Sequence, residues 1–413
     1  MKYKLPPDIS RRRFIVSSSI CGLGILNTRV VADDYNQNPT GFNSQSRELV
    51  NFPGKRPLYK VHTRPPHLET PFDVFNEEIL TPNDAFFVRY HLSSIPLSID
   101  ASNYRLRIRG AVNVSMQFSL SDLKSLGDVV EVVAVNQCAG NSRGFFSPRV
   151  FGAQVGHGDM GNARWAGIPL RTVLLRAGVL PQAKQVVFNG MDEPILPETP
   201  DFRKSLSIEH ALSSEPLLAW SMNGQDLPML NGYPLRLVVP GFYGTYWVKH
   251  LMDIEVIDNE FTGKDAFYMH SAYRLPDNDC FCSTPDNESM TKTRPITTLT
   301  VRSFITNIKP GDTIPLFKVV FLRGIAFDKG QGIKKVEISM DAGRNWLAAN
   351  LGDDLGRYSF RTWSLKVSFE KKGPMTLMVR ATNFLGETQS TSSDWNPGGY
   401  RRHVIEVTPI TVL

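Results

Sequence analysis

Cys138 stands between the β-branched run Val129 to Val135 and a loop of Ala139, Gly140, Asn141, Ser142 and Arg143, which puts a thiol within five residues of a cation. Three chemistries compete for it. The thiol can be a small inert hydrophobe, half of a disulfide, or a thiolate that attacks or ligates and therefore needs a cation or a metal nearby. The apolar run reads as a buried strand of the continuous kind and the polar loop as its exit. A thiol at such a strand end is less suited to core filling than one in mid-strand. A nucleophilic role would also require a histidine base and an orienting carboxylate. His157, in a Gly-rich stretch, is the nearest histidine in sequence.

The surrounding elements alternate between α and β signals. Tyr104, Leu106 and Ile108 alternate with Arg105, Arg107 and Arg109, which predicts a strand with one wet face. "SLSDLKSLG" predicts a short helix with Ser119 and Asp122 at capping-box spacing. "AGIPLRTVLLRAGVL" predicts a second helix, with Pro169 early and Gly178 as its stop. "KQVVFNGMDEP" is a strand entering a loop, "LLAWSMNGQDLP" a hairpin turning on Asn223 and Gly224, and "YPLRLVVPG" another buried strand. Beyond about Arg294 only strands are signalled. Trp363, Leu365, Val367 and Phe369 alternate, as do Met375, Leu377, Val379 and Ala381, with a hairpin turn at Asp341 to Gly343. That texture describes an immunoglobulin-like β-sandwich. The expected organisation is α+β: a signal segment over 1–32, an extended lead-in over 33–60, a mixed α/β domain over 61–293 and an all-β sandwich over 294–413.

Composition narrows the function. The chain has 413 residues, 41% of them hydrophobic, enough for two cores. Its net charge of +6 is concentrated in residues 1–32, which carry +5 and leave +1 for the remainder. No basic field is left to grip a nucleic acid. "SRRRFIV", a weakly apolar "SSSICGLGIL" and "VVADD" give a twin-arginine export pattern with a cut after Ala32. The apolar stretch is too short to span a bilayer, so a mature chain without a membrane span, exported folded to the periplasm, is expected. Cys280 and Cys282 lie too close together for an easy disulfide and lack further soft ligands for zinc, leaving their role open. No C-x-x-C-H occurs, so no c-type haem attaches to this chain.

Five stretches occur in order: "FFVRYH", "VVAVNQCAGNSRGFF", "GNARWAGIPL", "YPLRLVVPGFYGTYWVKH" and "SAYRLPDNDC". Together with "WNPGGY" at Trp395 to Tyr400, they resemble the sulfite oxidase family of molybdenum enzymes, most of all its exported bacterial sulfite dehydrogenases. The resemblance implies a molybdopterin-binding domain followed by a dimerisation domain, and a homodimer. It further implies oxidation of sulfite to sulfate by oxygen-atom transfer at molybdenum carried by one molybdopterin, with electrons leaving to a separate periplasmic cytochrome c. Cys138 resembles the family's protein thiolate on the metal, a soft ligand suited to a transition metal.

Other site residues follow from the same resemblance. Arg89 and His91 stand in its R-x-H, Arg143 is the arginine after the cysteine, and Tyr273 matches the tyrosine of "AYR", with Tyr268 close by and more simply explained as packing. Two guanidiniums suit a doubly charged oxyanion, because arginine offers forked donors and keeps its charge. For the pterin the resemblance points to Phe87, Val88, Arg89, Tyr90 and His91, to Asp192, Asn231 and Arg236, and to Trp247, Val248 and Lys249. Asn231 replaces the histidine common in animal members. Trp165 is expected in the pocket wall, whereas Phe242 and Tyr243 read as core. Two other readings remain: a sulfane dehydrogenase subunit, which shares most of these motifs, and a cofactor-free exported binding protein. A methionine sulfoxide reductase of the superfamily would lack the C-terminal β domain.

Overall fold

Leu106 and Ile108 are buried while Arg107 and Arg109 are exposed, so the alternation builds a strand, Leu106–Gly110. The computed structural model describes residues 42, 46–277 and 292–413. Cys280, Cys282 and the basic N-terminal segment lie outside the described residues. Local signals set the short elements. Helix Leu120–Ser125 begins with the Ser119–Asp122 capping box, and helix Leu170–Ala177 starts after Pro169 and stops at Gly178 with φ +71°. Strand Leu217–Met222 turns on Asn223 (φ +52°) and Gly224 (φ +77°) to pair with Gln225–Asp226, both central residues taking the left-handed conformation that such a tight hairpin requires.

Three larger sheets and one two-stranded pair, Arg274–Pro276 with Thr293–Pro295, form the first part of the molecule among the described residues. Four short strands, Leu49–Val50, Leu58–His62, His67–Glu69 and Val88–Arg89, run in that order. The expected extended lead-in is therefore sheet from Leu49 onward, and Leu58 is fully buried. A five-stranded sheet orders Arg203–Ser207, Gln185–Asn189, Asp253–Ile257, Leu106–Gly110 and Met116–Phe118, with Asp253–Ile257 parallel to Leu106–Gly110. The third sheet orders Gln225–Asp226, Leu217–Met222, Met160–Pro169 and Val130–Gln137, with Arg236–Val238 also on Leu217–Met222. Leu106, Ile108, Trp165, Ile168, Leu218 and Leu237 belong to the core shared by the second and third sheets, while Leu58, Leu68 and Val88 of the first form a cluster of their own.

The C-terminal part is a two-sheet β structure, as its alternation predicts. One sheet orders Arg302–Ile305, Val319–Phe327, Arg361–Ser368 and Asn350–Leu351; the other orders Thr313–Ile314, Glu406–Val412, Gly373–Asn383, Ile333–Ser339 and Leu347–Ala348. Leu322, Trp363 and Val367 pack with Leu377, Val379 and Ile410 between them. A further cluster joins both parts: Val135, Ala139, Met160 and Tyr243 pack with Phe304, Ile325, Phe327 and Phe360. Burial of each large side chain there contributes roughly 1.5–3 kcal/mol, so the sandwich is packed directly against the strand that leads to Cys138. Among the described residues no helix is long and apolar enough to cross a membrane.

Candidate active site

Strand Val130–Gln137 delivers Cys138 to the lining of a cleft whose space, counted out into open solvent, is about 660 Å³. Its first residues are exposed and only Val133 onward is buried, because the strand lies at the edge of its sheet. Just past the strand, the Cys138 amide donates to the Asp159 carbonyl (2.9 Å) and Asn141 N–H donates back to the Cys138 carbonyl (3.0 Å). The free thiol is held above its ordinary range by burial and by the Asp159 charge, against the pull of Arg89 and Arg143. Thus the sulfur is not a pre-ionised nucleophile. His157 does not serve it either: its Nδ1 lies 2.7 Å from Ser142 Oγ, and its ring stacks on Phe145 outside the cleft lining.

Arg89 and His91 enter through the pairing of His67–Glu69 with Val88–Arg89, in which His67 faces Arg89. Both line the cleft with Cys138 and Tyr273. The Tyr273 hydroxyl hydrogen-bonds His91 Nε2, and Phe202 stacks on the His91 ring at 4.0 Å and 7°. Burial and the neighbouring Arg89, Lys249 and Lys204 charges hold the His91 imidazole well below its usual value, so it is neutral at physiological pH. Tyr268 packs edge-on against His91 at 5.2 Å but does not line the cleft.

Arg143 is placed differently from the expectation of a second guanidinium facing the cleft. Its Nε donates to the Gly398 carbonyl (3.0 Å), Nη1 lies 3.4 Å from the Ala153 carbonyl, and the guanidinium sits 5.1 Å from the Tyr400 ring centre. Left-handed Ser142 (φ +70°) and the 3-10 turn Arg143–Phe145 redirect the chain. The side chain then lies under Gly140, where an added Cβ would come within 2.6 Å of Nη2. Arg143 therefore acts on Cys138 through its field rather than as a wall of the cleft.

Of the residues expected around a pterin, Phe87, Arg89, Tyr90, His91, Asp192, Asn231, Arg236, Trp247 and Lys249 line the cleft. Val88 and Val248 instead turn their side chains into apolar clusters, as alternation along an extended segment dictates. Trp165 is fully buried beneath the wall, 4.9 Å under the Arg236 guanidinium, and does not face the cleft. Phe242 and Tyr243 are outside the lining.

Several lining or supporting residues were not expected. Lys55 donates to Asn231 Oδ1 (2.6 Å) and to the Asn83 and Phe86 carbonyls. Lys204 points its ammonium at the Tyr246 and Tyr273 rings, 4.4 and 5.3 Å from their centres. Asn136, Phe202, Gly244 and Thr245 also line the cleft, with Phe86, Ala139 and Leu230. Lys55 and Lys204 carry no sequence signal, whereas Gly244 and Thr245 lie within a stretch already singled out.

The electrostatics are one-sided. Arg89, Arg236 and Lys249 line the cleft against the single carboxylate of Asp192. Burial lowers Lys249 to about 7 and Arg236 to about 9, and raises Asp192 to about 6. The partners of the two cations are carbonyls: Arg89 O for Lys249 (2.6 Å), and Asn231 O and Trp247 O for Arg236. Arg236 Nε, Asn136 Oδ1 and Thr245 Oγ1 are buried without a hydrogen-bond partner. Buried polar atoms in that state call for an occupant.

Residues 91–265 match the oxidoreductase molybdopterin binding domain, and residues 293–404 match the Mo-co oxidoreductase dimerisation domain. Sulfite oxidase of Gallus gallus is 32% identical over 364 residues, covering 84% of this chain and 76% of that protein. Mitochondrial sulfite oxidase of Homo sapiens is 33% identical over 329 residues, covering 76% of this chain and 58% of that protein, so the chain spans little more than half of the human relative. In fold, the chain resembles the crystal structure of sulfane dehydrogenase SoxCD from Paracoccus pantotrophus, with a TM-score of 0.70 and 24% identity over 92% of this chain and 95% of that one.

The cleft fits a molybdenum–molybdopterin on its own residues. Excess buried cation suits the phosphate, Arg236 and Lys249 supplying charge-assisted donors, while Asp192 and the unpartnered amide and hydroxyl atoms suit the amino-bearing ring. Among the described residues no group of three or more His, Cys, Asp or Glu side chains could hold an ion. A metal here would take Cys138 as its protein ligand and its remaining ligands from the pterin.

Proposed function

Because the chain belongs to the sulfite oxidase family of molybdenum–molybdopterin oxidoreductases, we propose that it oxidises sulfite to sulfate and passes the electrons to a separate c-type cytochrome. The observation that carries this reading is the convergence of Cys138, Arg89 and the Tyr273–His91 pair on one cation-rich cleft. Oxygen-atom transfer and storage of two electrons are the chemistry that the bound cofactor supplies. The protein's part is to attract and orient a small dianion. Arg89 gives a permanent forked cation, Tyr273 gives a hydroxyl without charge, and neutral His91 holds that hydroxyl in place. The twin-arginine pattern supports folded export to the periplasm, and the match to a dimerisation domain supports a homodimer.

The deciding experiment is metal analysis with steady-state kinetics on protein made in a cofactor-proficient host. Near-stoichiometric molybdenum and sulfite-dependent reduction of cytochrome c are expected. A chain free of molybdenum would sink the enzyme reading. Molybdenum with turnover of sulfane sulfur and none of sulfite would shift the substrate.

Arg89→Gln is expected to raise the KM for sulfite by roughly 10- to 100-fold, the scale of one hydrogen bond to a charged group. Because Arg143 stands behind the loop, Arg143→Gln should raise it less. A fall in kcat alone for both variants would refute the anion-binding role. Tyr273→Phe deletes one oriented donor and should slow sulfite-dependent cytochrome reduction by roughly 10- to 1000-fold with molybdenum content unchanged. Tyr268→Phe, which keeps the ring that packs on His91, Phe202, Phe267 and Tyr273, should be near silent. The opposite order in kinetics on the two variants would move the donor role to Tyr268.

A further inference from the structure

Tyr273 does not hold its own conformation. Its backbone sits at φ +60°, a left-handed geometry that a bulky aromatic residue rarely adopts and that persists only where the surroundings over-determine it. The surroundings include the other half of the molecule. The Tyr400 ring stacks on the Tyr273 ring at 5.1 Å and 29°. Tyr400 is itself fixed. Its N–H donates to Asn396 Oδ1 (2.9 Å) and its carbonyl accepts from Asn396 Nδ2 (2.8 Å). The same segment is sewn to the loop of Cys138: Trp395 Nε1 donates to the Pro148 carbonyl (2.7 Å) and Arg401 N–H to the Ala139 carbonyl (2.8 Å). Arg143 adds its guanidinium over the Tyr400 ring.

We propose that Tyr400 is a positioning residue for the oxidation site: from the C-terminal β part it holds the Tyr273 hydroxyl against His91, where that hydroxyl meets the substrate dianion. The inference rests on the reading of Tyr273 as an anion donor. Offset aromatic stacking supplies direction as well as burial, and a cation over the ring strengthens the set. Removing the Tyr400 ring frees Tyr273 to leave its strained backbone conformation, and the hydroxyl goes with it.

A double-mutant cycle on molybdenum-loaded protein separates this from a packing role. Tyr400→Leu is expected to lower kcat/KM for sulfite, and to weaken sulfate binding measured by titration calorimetry, by about 5- to 50-fold. Tyr400→Phe, which keeps the stack, should restore both to within about threefold. In a Tyr273→Phe background, where the ring is present and the hydroxyl absent, Tyr400→Leu should cost almost nothing further. Equal losses in both backgrounds would overturn the inference and leave the Tyr273 role intact. If Tyr273→Phe alone changed neither quantity, the reading beneath it would fall and take the inference with it. Should Tyr400→Leu fail to fold, Asn396→Ala releases the Tyr400 anchor without touching the ring. Its loss must likewise vanish in the Tyr273→Phe background, or the proposal is wrong.

Discussion

Cys138→Ser is expected to abolish sulfite oxidation, exceeding the roughly 10- to 100-fold cost of losing an outer-shell partner of a metal, while the chain still folds. The hydroxyl is a hard, weakly acidic donor where the metal requires a soft anion. Nothing else in the cleft offers a substitute, since among the described residues no alternative group of metal-ligating side chains is assembled. The fold should tolerate the change. The contacts that fix the loop are main-chain hydrogen bonds from Cys138 to Asp159 and from Asn141 to Cys138, which serine keeps. The thermal midpoint and circular dichroism should stay close to the parent, with the molybdenum signal in electron paramagnetic resonance altered or absent. Retention of parental activity would remove Cys138 from the metal. Its raised thiol pKa makes the same point from another side. Burial and Asp159 keep the free thiol protonated at neutral pH, so a metal must displace that proton on binding, as coordination of a thiol does.

Features that depend on a few neighbouring residues were legible in the sequence. The Ser119–Asp122 cap, the Gly178 stop and the Asn223–Gly224 turn each follow from local hydrogen bonding or from left-handed backbone geometry. Burial depth was less so. The run from Val129 looks uniformly core-like, but the strand lies at a sheet edge, and a hydrophobic pattern does not report which end of an edge strand is covered. Arg143 was expected to face the cleft, but the chain turns at left-handed Ser142 and the Arg143 side chain lies outside the cleft lining. Lys55 meets Asn231 across 176 positions, and the Tyr273–Tyr400 stack joins the two halves of the molecule. Such pairings are products of packing, and no spacing rule announces them.

Loss of a cofactor-facing cation should rival loss of the metal ligand. Arg236→Met and Lys249→Met are each expected to purify with little molybdopterin. Truncating one partner of a buried charge pair costs about 2–5 kcal/mol, equivalent to roughly 30-fold or more in retention. The cofactor-free protein should reveal the reason through its pH dependence. Burial lowers Lys249 to about 7 and Arg236 to about 9 in the folded chain, against 10.5 and 12.5 for the exposed groups. Between pH 7 and about 10 the unfolded chain therefore binds more protons than the folded one, and stability must rise with pH across that window. Below pH 7 the cost of burying protonated Lys249 is present in full. An anionic cofactor reverses the balance, because its charge favours the ammonium and guanidinium forms and returns both groups toward their ordinary values. Thermal midpoints measured from pH 7 to 10 should climb for the cofactor-free parent, climb less for cofactor-free Lys249→Met, and stay flatter for the loaded parent. Parallel curves for loaded and cofactor-free protein would mean that these cations do not face the cofactor's anion, and the assignment of Arg236 and Lys249 would have to be withdrawn.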